Sequence, residues 1–329
     1  MKSKIALTIS FALLLGINGN ITTAQTEVDA QTENVKIGIA RWVESSDFDE
    51  NIQGFKESLE EYGFIEGVNT EYIEKNPNGD KSKQREIIQE FIDKDVDMIF
   101  SLTTPGTLIA KEMTQDIPIV FSIVTFPVGA NIIESFESSG NNLVGTSNFV
   151  SVEKQVDLIY DVSQPKKIGF LHRDGEPNSE IQFEQMKKYS ESKGIDVIEI
   201  SPSTLDEVES SINNVISEID VLYNACDTLV QSGAEDISIK LGLENNKPAF
   251  SCLMGGIKSG GLAGNVADPK ILGKLAGVKA VIILHGGSPS DILSEQQKGD
   301  HIFVNSKSQK ALGIEIPKHV ENIVIQRFE

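Results

Sequence analysis

The sequence predicts an α/β protein of two similar lobes, each built on a parallel sheet with helices packed against it. From Val35 onward, short apolar runs alternate with longer amphipathic runs, which is typical of parallel strands linked by crossover helices. The chain has 329 residues, enough for about two domains. Its second half also repeats the apolar pattern of the first, so we expect two lobes of one plan.

The apolar runs predict four strands in each half, and the amphipathic runs predict three helices between them. In the first half the strands are expected at Lys36–Ala40, Asn69–Glu74, Asp97–Leu102 and Pro118–Val124, and the helices at Phe48–Tyr62, Lys83–Lys94 and Thr107–Thr114. In the second half the strands are expected at Lys167–His172, Asp196–Ile200, Val221–Ala225 and Pro248–Leu253, and the helices at Ser179–Lys193, Leu205–Glu218 and Leu229–Leu241.

Three pairs of segments carry the internal repeat. Residues 36–40 resemble 167–171, residues 97–100 resemble 220–223, and residues 117–121 resemble 247–250. We therefore expect two Rossmann-like lobes joined by a hinge. The N-terminal lobe is expected at 36–147 plus about 266–288, and the C-terminal lobe at 148–265 plus about 300–329.

The segment at 1–24 has the layout of a signal peptide. Lys2 and Lys4 precede an apolar run at Ile5–Ile17, and small residues at 22–24 offer a cleavage site. The run is short for a membrane span, which needs about 20 apolar residues. We expect an exported, extracellular or periplasmic protein, with an uncleaved N-terminal anchor as the alternative. The polar residues 25–35 are interpreted as a linker.

Composition and motif spacing argue against several classes of function. With 49 acidic and 29 basic residues the formal charge is −20, which repels phosphate backbones, so no nucleic-acid partner is expected. The four histidines lack metal-ligand spacing, and neither a metal nor a cofactor is expected. Cys226 and Cys252 each follow an apolar run, where they either pack as small hydrophobic residues or form a disulfide.

Ligands of open α/β sheets bind beyond the carboxyl ends of the strands, so the residues after each strand are the binding candidates. After the third strand, Thr103 and Thr104 open a helix, with Thr104 expected as N-cap and Pro105 as the first helical residue. Asn178 or Ser179 is expected to cap a second helix. The free amides at such helix starts attract an anion such as a carboxylate, although each residue can equally serve only its own helix.

Other residues at strand ends complete the candidate site. Asp227 stands at the start of a helix, where it either caps that helix or pairs with a ligand ammonium group. Trp42, after the first strand, either stacks on a ligand or fills the edge of a lobe. Thr125 and Met254 follow two further strands. Two anion-binding helix starts and one carboxylate fit an amino-acid zwitterion.

Catalytic motifs are missing from the sequence. It contains neither a Gly-x-Ser-x-Gly elbow nor a glycine-rich phosphate loop ending in Lys-Ser/Thr. The leading hypothesis is reversible ligand binding without chemistry, so we expect that the protein is not an enzyme. Two alternatives stay open: a two-lobed isomerase or racemase that transfers protons across the cleft, and a ligand-sensing module of a membrane receptor.

Short motifs in a fixed order extend over most of the chain. They are Gly54–Phe55, Gly63–Gly67, Thr104–Pro105, Ile117–Phe121, Asn142–Ser147, Glu176–Ser179, Asp227, Gly261–Ala263 and Leu312–Pro317. Together they resemble the ABC-transporter substrate-binding family that includes tryptophan- and tyrosine-type binding proteins. The chain departs from the family pattern at Phe126, at Leu171–His172 and around 265–268, so the resemblance does not fix the ligand as an aromatic amino acid.

The resemblance implies a periplasmic-binding-protein type I fold that closes on its ligand. The implied function is the extracytoplasmic solute-binding component of an ABC importer, with a permease and an ATPase as partners. We expect a monomer that binds a small molecule. By this resemblance the cleft is lined by Thr104, Thr125, Asn178, Ser179 and Asp227.

Overall fold

The structure, a computed structural model, describes residues 34–297 and 301–329. The predicted signal peptide at 1–24 lies outside these residues, as does the predicted linker at 25–35 apart from its last two positions. Val35 already belongs to the first strand, because its amide hydrogen-bonds to the carbonyl of Asn69.

The first sheet is entirely parallel and runs in the order β11-β5-β4-β3-β1-β2. Its strands are β1 (Val35–Ala40), β2 (Thr70–Lys75), β3 (Met98–Leu102), β4 (Ile119–Ser122), β5 (Leu143–Ser147) and β11 (Glu295–Gln296). The helices α1 (Ser46–Glu61), α2 (Lys81–Asp93), α3 (Thr104–Met113) and α9 (Pro269–Leu284) pack on this sheet and on one another. We call this body the N-terminal lobe.

The second sheet runs in the order β13-β12-β10-β9-β8-β6-β7, and only its β10–β12 pair is antiparallel. Its strands are β6 (Lys167–Leu171), β7 (Asp196–Ile200), β8 (Val221–Asn224), β9 (Ala249–Ser251), β10 (Ala263–Asn265), β12 (Ile302–Asn305) and β13 (Val324–Phe328). The helices are α4 (Val152–Ser163), α5 (Pro177–Ser192), α6 (Leu205–Asn213), α7 (Glu235–Glu244), α8 (Met254–Ser259), α10 (Ser306–Leu312) and α11 (Lys318–Glu321). We call this body the C-terminal lobe.

The predicted fold class is confirmed, and all eight predicted strands are present with small shifts at their ends. The predicted helix at Leu205–Glu218 ends earlier, at Asn213. The predicted helix at Leu229–Leu241 is interrupted by a π-helical turn at Val230–Ala234, where Gly233 has a φ of 120° that favours glycine. The predicted boundaries of the two lobes stay a prediction.

The internal repeat is visible in the hydrogen bonds of the two sheets. The Asp97 carboxylate accepts from the Lys36 amide at 2.9 Å, and the Asp97 amide donates to the Lys36 carbonyl at 2.8 Å. Asp220 repeats both bonds with Lys167, at 3.0 and 2.9 Å. The short sequence repeat therefore corresponds to a repeated geometry.

Two further features bear on the sequence analysis. The structure joins Cys226 and Cys252 by a disulfide, so the second of the two alternatives for these residues is the one observed. Among the described residues, no helix has both the length and the apolar composition that crossing a bilayer requires.

Candidate functional site

The carboxyl ends of the two sheets meet at direct contacts between the lobes. The amide of Gly255, in α8, donates to the Asp47 carboxylate of α1 at 2.9 Å. One turn further along each helix, Lys258 forms an ion pair with Glu50 at 2.5 Å. A cleft of about 300 Å³ lies beside these contacts. It is lined by residues 44–47 of the N-terminal lobe and by residues 230–233, 235, 236, 253, 255, 256 and 259 of the C-terminal lobe.

Two strand ends of the N-terminal lobe have unusual backbone conformations. Thr103, after β3, has φ 69° and ψ 160°, and Ile123, after β4, has φ 52°. Positive φ is unfavourable for residues branched at Cβ, and such strain often occurs at ligand sites. The surrounding structure must therefore hold these two turns in place.

The predicted cap of α3 was wrong by one residue. Thr103 is the N-cap, and its Oγ1 accepts from the Gly106 amide, while Thr104 is the first helical residue and Pro105 the second. Thr104 is buried, and its Oγ1 has no hydrogen-bond partner among the described residues. Its hydroxyl is therefore free for another partner.

Trp42 and Thr125 are both buried at the carboxyl end of the first sheet. Trp42 belongs to the core of the N-terminal lobe, yet its Nε1 has no acceptor within the described part of the chain. The Thr125 carbonyl accepts from the Ser147 hydroxyl at 3.0 Å. The indole N–H is thus a second buried polar group, after the Thr104 hydroxyl, that has no partner among the described residues.

The predicted cap of α5 was also wrong. The helix begins at Pro177 with Glu176 as N-cap, because proline favours the first helical position, so Asn178 and Ser179 lie inside the first turn. The Ser179 hydroxyl donates to the Glu176 carbonyl at 3.1 Å. The Asn178 amide nitrogen donates to the Cys226 carbonyl at 2.6 Å, while its Oδ1 has no partner in residues 34–297 and 301–329.

Asp227 is fully engaged by its own lobe. Its Oδ2 accepts from the Arg173 amide at 2.7 Å, and its Oδ1 accepts from the Val230 amide at 2.8 Å, which caps the turn it opens. Burial raises the pKa of Asp227, and the neighbouring carboxyl of Glu176, which binds Thr228, raises it further. Pairing of Asp227 with a ligand ammonium stays a prediction.

The cleft contains carboxyl groups that the sequence analysis missed. Glu44 and Asp47 line it from the N-terminal lobe, and Glu235 and Asp236 line it from the C-terminal lobe. Burial and the nearby Glu50 carboxylate raise the pKa of Asp47 to about 6. The pKa of Glu235 is also raised, chiefly by burial and in smaller part by repulsion from Asp47.

A smaller cavity adjoins the cleft and shares Asp47 and Leu253 with it. Met254 and Asn148 also line this inner cavity. Of the eight residues predicted for the site, Met254 alone lines either of these two cavities; the other seven are buried near the strand ends. Asp47 could have been found from the sequence, because it lies a few residues beyond β1, whereas Glu235 is inside a helical run and has no strand-end signal.

Metal binding is not indicated by this arrangement. Among the residues that the structure describes, no group of three or more His, Cys, Asp or Glu side chains is placed to hold a metal ion.

Comparison with known proteins identifies the family. A family model described as ABC transporter substrate binding protein matches residues 36–326. The chain belongs to this family. A curated relative, the tyrosine-binding protein of Clostridioides difficile strain R20291, is 32% identical over 325 residues, which span 96% of this chain and 94% of the relative.

Solved structures give the same picture of this substrate-binding protein. An ABC domain from Streptococcus pneumoniae in complex with L-Trp matches with a TM-score of 0.86 at 26% identity, covering 90% of this chain and 100% of that one. The ligand-free, open structure of a substrate-binding protein with adhesive properties from Clostridium difficile matches with a TM-score of 0.70 at 34% identity, covering 90% and 99%. The structure is thus more similar to the complex, although its sequence is closer to the open protein.

Family membership defines the general role of the protein. It is the substrate-binding component of an ABC transporter, and it binds a small molecule. Members of this family act outside the cytoplasm, and their role is binding rather than catalysis.

Proposed function

We propose that this protein captures an amino acid or a related carboxylate between its two lobes and delivers it to the permease and ATPase of an ABC importer. The observation that carries this proposal is a set of buried polar atoms without hydrogen-bond partners among the described residues. They are Trp42 Nε1, Thr104 Oγ1 and Asn148 Oδ1 in the N-terminal lobe or next to it, and Asn178 Oδ1 in the C-terminal lobe.

Buried polar atoms without partners are costly and uncommon, typically about 1–3 kcal/mol each. The four atoms named above lie near the carboxyl ends of the two sheets, where ligands of this fold class bind. A ligand enclosed between the lobes would give them partners and recover this cost. The higher structural similarity to a complex than to an open, ligand-free protein supports the view that the lobes adopt the closed arrangement.

The ligand class is supported by the relatives. One relative is named for tyrosine, and a similar structure contains L-Trp. An amino acid offers donors and acceptors at one end, which fits polar atoms of both kinds.

We also propose export through the segment at 1–24, with retention of that segment as a membrane anchor as the alternative, and a monomeric state. The protein is proposed to have no enzymatic activity. A racemase that uses two opposed thiols is disfavoured, because Cys226 and Cys252 are joined to each other in one lobe.

Thr104 provides the test of this proposal. The panel of natural amino acids is screened by thermal shift, and hits are measured by calorimetry. Thr104→Val removes a hydroxyl that bonds to no described residue, so it should leave the unliganded protein as stable as the wild type. It should weaken the hit about tenfold, the effect of one lost hydrogen bond to a buried partner.

Thr107→Val is the matched control on the same helix. The Thr107 hydroxyl lies 3.1 Å from the Ser101 hydroxyl, so this change should reduce stability and leave affinity unchanged. Equal affinity of the wild type and Thr104→Val, or the absence of any amino-acid hit, would contradict the proposal.

A further inference from the structure

The cleft between the lobes has an unbalanced charge. Its carboxyl groups are Glu44, Asp47, Glu235 and Asp236, and the described residues that line it include no lysine, arginine or histidine. Two cations outside this lining pair with carboxylates: Arg41 with Glu44 at 3.6 Å, and Lys258 with Glu50 at 2.5 Å. Asp47, Glu235 and Asp236 have no ion-pair partner among the described residues, so the cleft keeps an excess of carboxyl groups.

Two of these carboxyl groups are buried and come from opposite lobes. Asp47 is 3% exposed and Glu235 is 5% exposed, and neither forms an ion pair within the described residues. Each has a hydrogen-bond donor instead: the Gly255 amide for Asp47 and the Ser251 hydroxyl for Glu235. A Cβ at Gly256 would overlap the Glu235 carboxyl, at about 2 Å, so the glycine makes room for this group.

Burying two carboxylates near each other is unfavourable unless a positive charge accompanies them. Repulsion from Asp47 contributes to the raised pKa of Glu235. Because the two groups belong to different lobes, closing the lobes increases this cost. A cation placed between the two carboxylates would offset this electrostatic cost and favour the closed arrangement of the lobes.

A third group points to a ligand in this region. Asn148 is 8% exposed, and its Oδ1 has no hydrogen-bond partner among the described residues. It lines the inner cavity that shares Asp47 and Leu253 with the cleft. Asn148 Oδ1 is therefore an acceptor that a ligand donor could satisfy, and the carboxylates of Asp47 and Glu235 also accept from donors.

We propose that the cleft binds a protonated amine of the ligand, with Asp47 and Glu235 as its counter-charges from opposite lobes and Asn148 Oδ1 as a further acceptor. This inference rests on the proposed function and specifies which end of the ligand the cleft recognises. It assigns the amine to residues other than Asp227, whose two oxygens already accept from backbone amides. Neutralisation of Asp47 and Glu235 by one amine couples ligand capture to closure.

The first arm of the test changes the ligand. Calorimetry near neutral pH compares the amino acid that binds best, its decarboxylated amine and its deaminated acid; for L-tyrosine these are tyramine and 3-(4-hydroxyphenyl)propionate. The amine should bind, and the deaminated acid should bind at least about tenfold more weakly than the amino acid, because it lacks a charge-assisted hydrogen bond. A deaminated acid that binds as tightly as the amino acid overturns this inference but leaves the proposed function intact. Failure of every amino acid and every amine overturns both.

The second arm changes the protein. Glu235→Gln and Asp47→Asn remove the charge but keep an oxygen that can accept from Ser251 and Gly255. Each variant should bind the amino acid at least about tenfold more weakly and the deaminated acid unchanged. Each variant tests the inference by itself. If one of them fails to fold, the binding result of the other decides. Unchanged affinity of a folded variant for the amino acid overturns the inference.

Matched controls are present on the same helices. Glu244→Gln, at the exposed end of α7, and Asp49→Asn, two residues from Asp47 and paired with Arg41, remove the same charge outside the cleft. Both should bind like the wild type. If either weakens binding as much as its partner variant, general electrostatics explains the effect and the inference is overturned.

A third arm separates an amine from an inorganic cation. Calcium chloride alone should produce no thermal shift, in keeping with the absence of a metal-holding group among the described residues. A calcium-induced shift that is present in the wild type and lost in Glu235→Gln would identify a metal site instead and overturn the inference.

Discussion

Beyond β3 and β4 of the N-terminal lobe, the chain turns through positive φ at Thr103 and Ile123, and the polar side chains nearby are hydroxyls. Beyond β6 and β8 of the C-terminal lobe, the described residues other than glycine all have negative φ, and the polar groups are the buried carboxyls of Glu176 and Asp227. The C-terminal lobe also has the disulfide between Cys226 and Cys252, next to these carboxyls.

The frames of the two lobes are nevertheless the same. Lys36 and Asp97 make the same two hydrogen bonds as Lys167 and Asp220, one between backbone groups and one from the lysine amide to the aspartate carboxylate. The repeat thus preserves the hydrogen bonds that order the strands, while the strand ends differ in chemistry. The difference suggests that the two lobes offer a ligand different partners, hydroxyls from one side and negative charge from both sides of the cleft.

Removing the disulfide should produce the largest effect, and it should act on the C-terminal lobe alone. Cys226 and Cys252 are the only cysteines of the chain, and their bond closes a loop with a sequence separation of 26 residues. The double variant Cys226→Ser, Cys252→Ser should lower the free energy of unfolding by about 2–4 kcal/mol, because the unfolded chain loses its cross-link. Urea denaturation measures it. Reductant should destabilise the wild type equally and leave the double variant unchanged; a wild type that is indifferent to reductant would show that the bond is not formed in solution.

The equivalent glycines of β1 and β6 should respond differently to the same substitution. A Cβ at Gly38 would lie 2.6–2.9 Å from three atoms of the Phe91 ring, whereas at Gly169 the closest atom is the terminal methyl of Ile219, at 2.6 Å. A ring cannot yield as a terminal methyl can, so Gly38→Ala should cost about 1–3 kcal/mol and Gly169→Ala less than about 1 kcal/mol. Urea denaturation of both variants checks the difference. Equal losses would mean that the two lobes are packed equally tightly at this position.

Stability should increase as the pH falls from about 7 to about 5. Burial raises the native pKa values of Asp47, Glu176, Asp227 and Glu235, so the native state holds these protons more tightly than the unfolded chain. The stabilisation is fully present below the unfolded pKa and is lost as the pH rises through the native one, which is about 6 for Asp47. Asp47 alone should contribute on the order of 1 kcal/mol, and the carboxyls with higher native pKa values should add to this gain; denaturation at both pH values measures it.

A variant tests this attribution. Glu235→Gln should reduce the gain more than Glu57→Gln, because the Glu57 side chain is 31% exposed and its hydrogen bond with Lys270 lowers its pKa. A stability that is independent of pH, or that falls over this range, would argue that these groups are not buried in the folded protein.

Much of the fold could be predicted because strands and helices in each lobe alternate as apolar and amphipathic runs. The helix α9, at Pro269–Leu284, was missed because its second half is apolar on nearly all sides, so it shows no polar face that would mark a helix. The strand β10 was missed because its three residues, Ala263–Asn265, are too short to form a pattern.

The candidate site was harder to predict than the fold. Strand-end positions such as Thr104 and Asn178 follow from the sheet topology, and the structure leaves an atom of each without a partner among the described residues. The role of Glu235 depends on the approach of Asp47, which is 188 positions away in the sequence and in the other lobe. Their proximity in the fold cannot be read from any short stretch of the sequence. The cap positions were shifted because Pro177 starts its helix earlier than the side chains suggest.

Hydrogen–deuterium exchange with and without the best-binding amino acid tests the central claim, that one small ligand is held between the two lobes. At saturation, backbone amides should be protected in both lobes: at 44–47, 103–107 and 123–126 in the N-terminal lobe, and at 226–236 and 253–259 in the C-terminal lobe. Protection in both lobes is the predicted result. Protection confined to one lobe, or to surfaces away from the strand ends, would contradict the account.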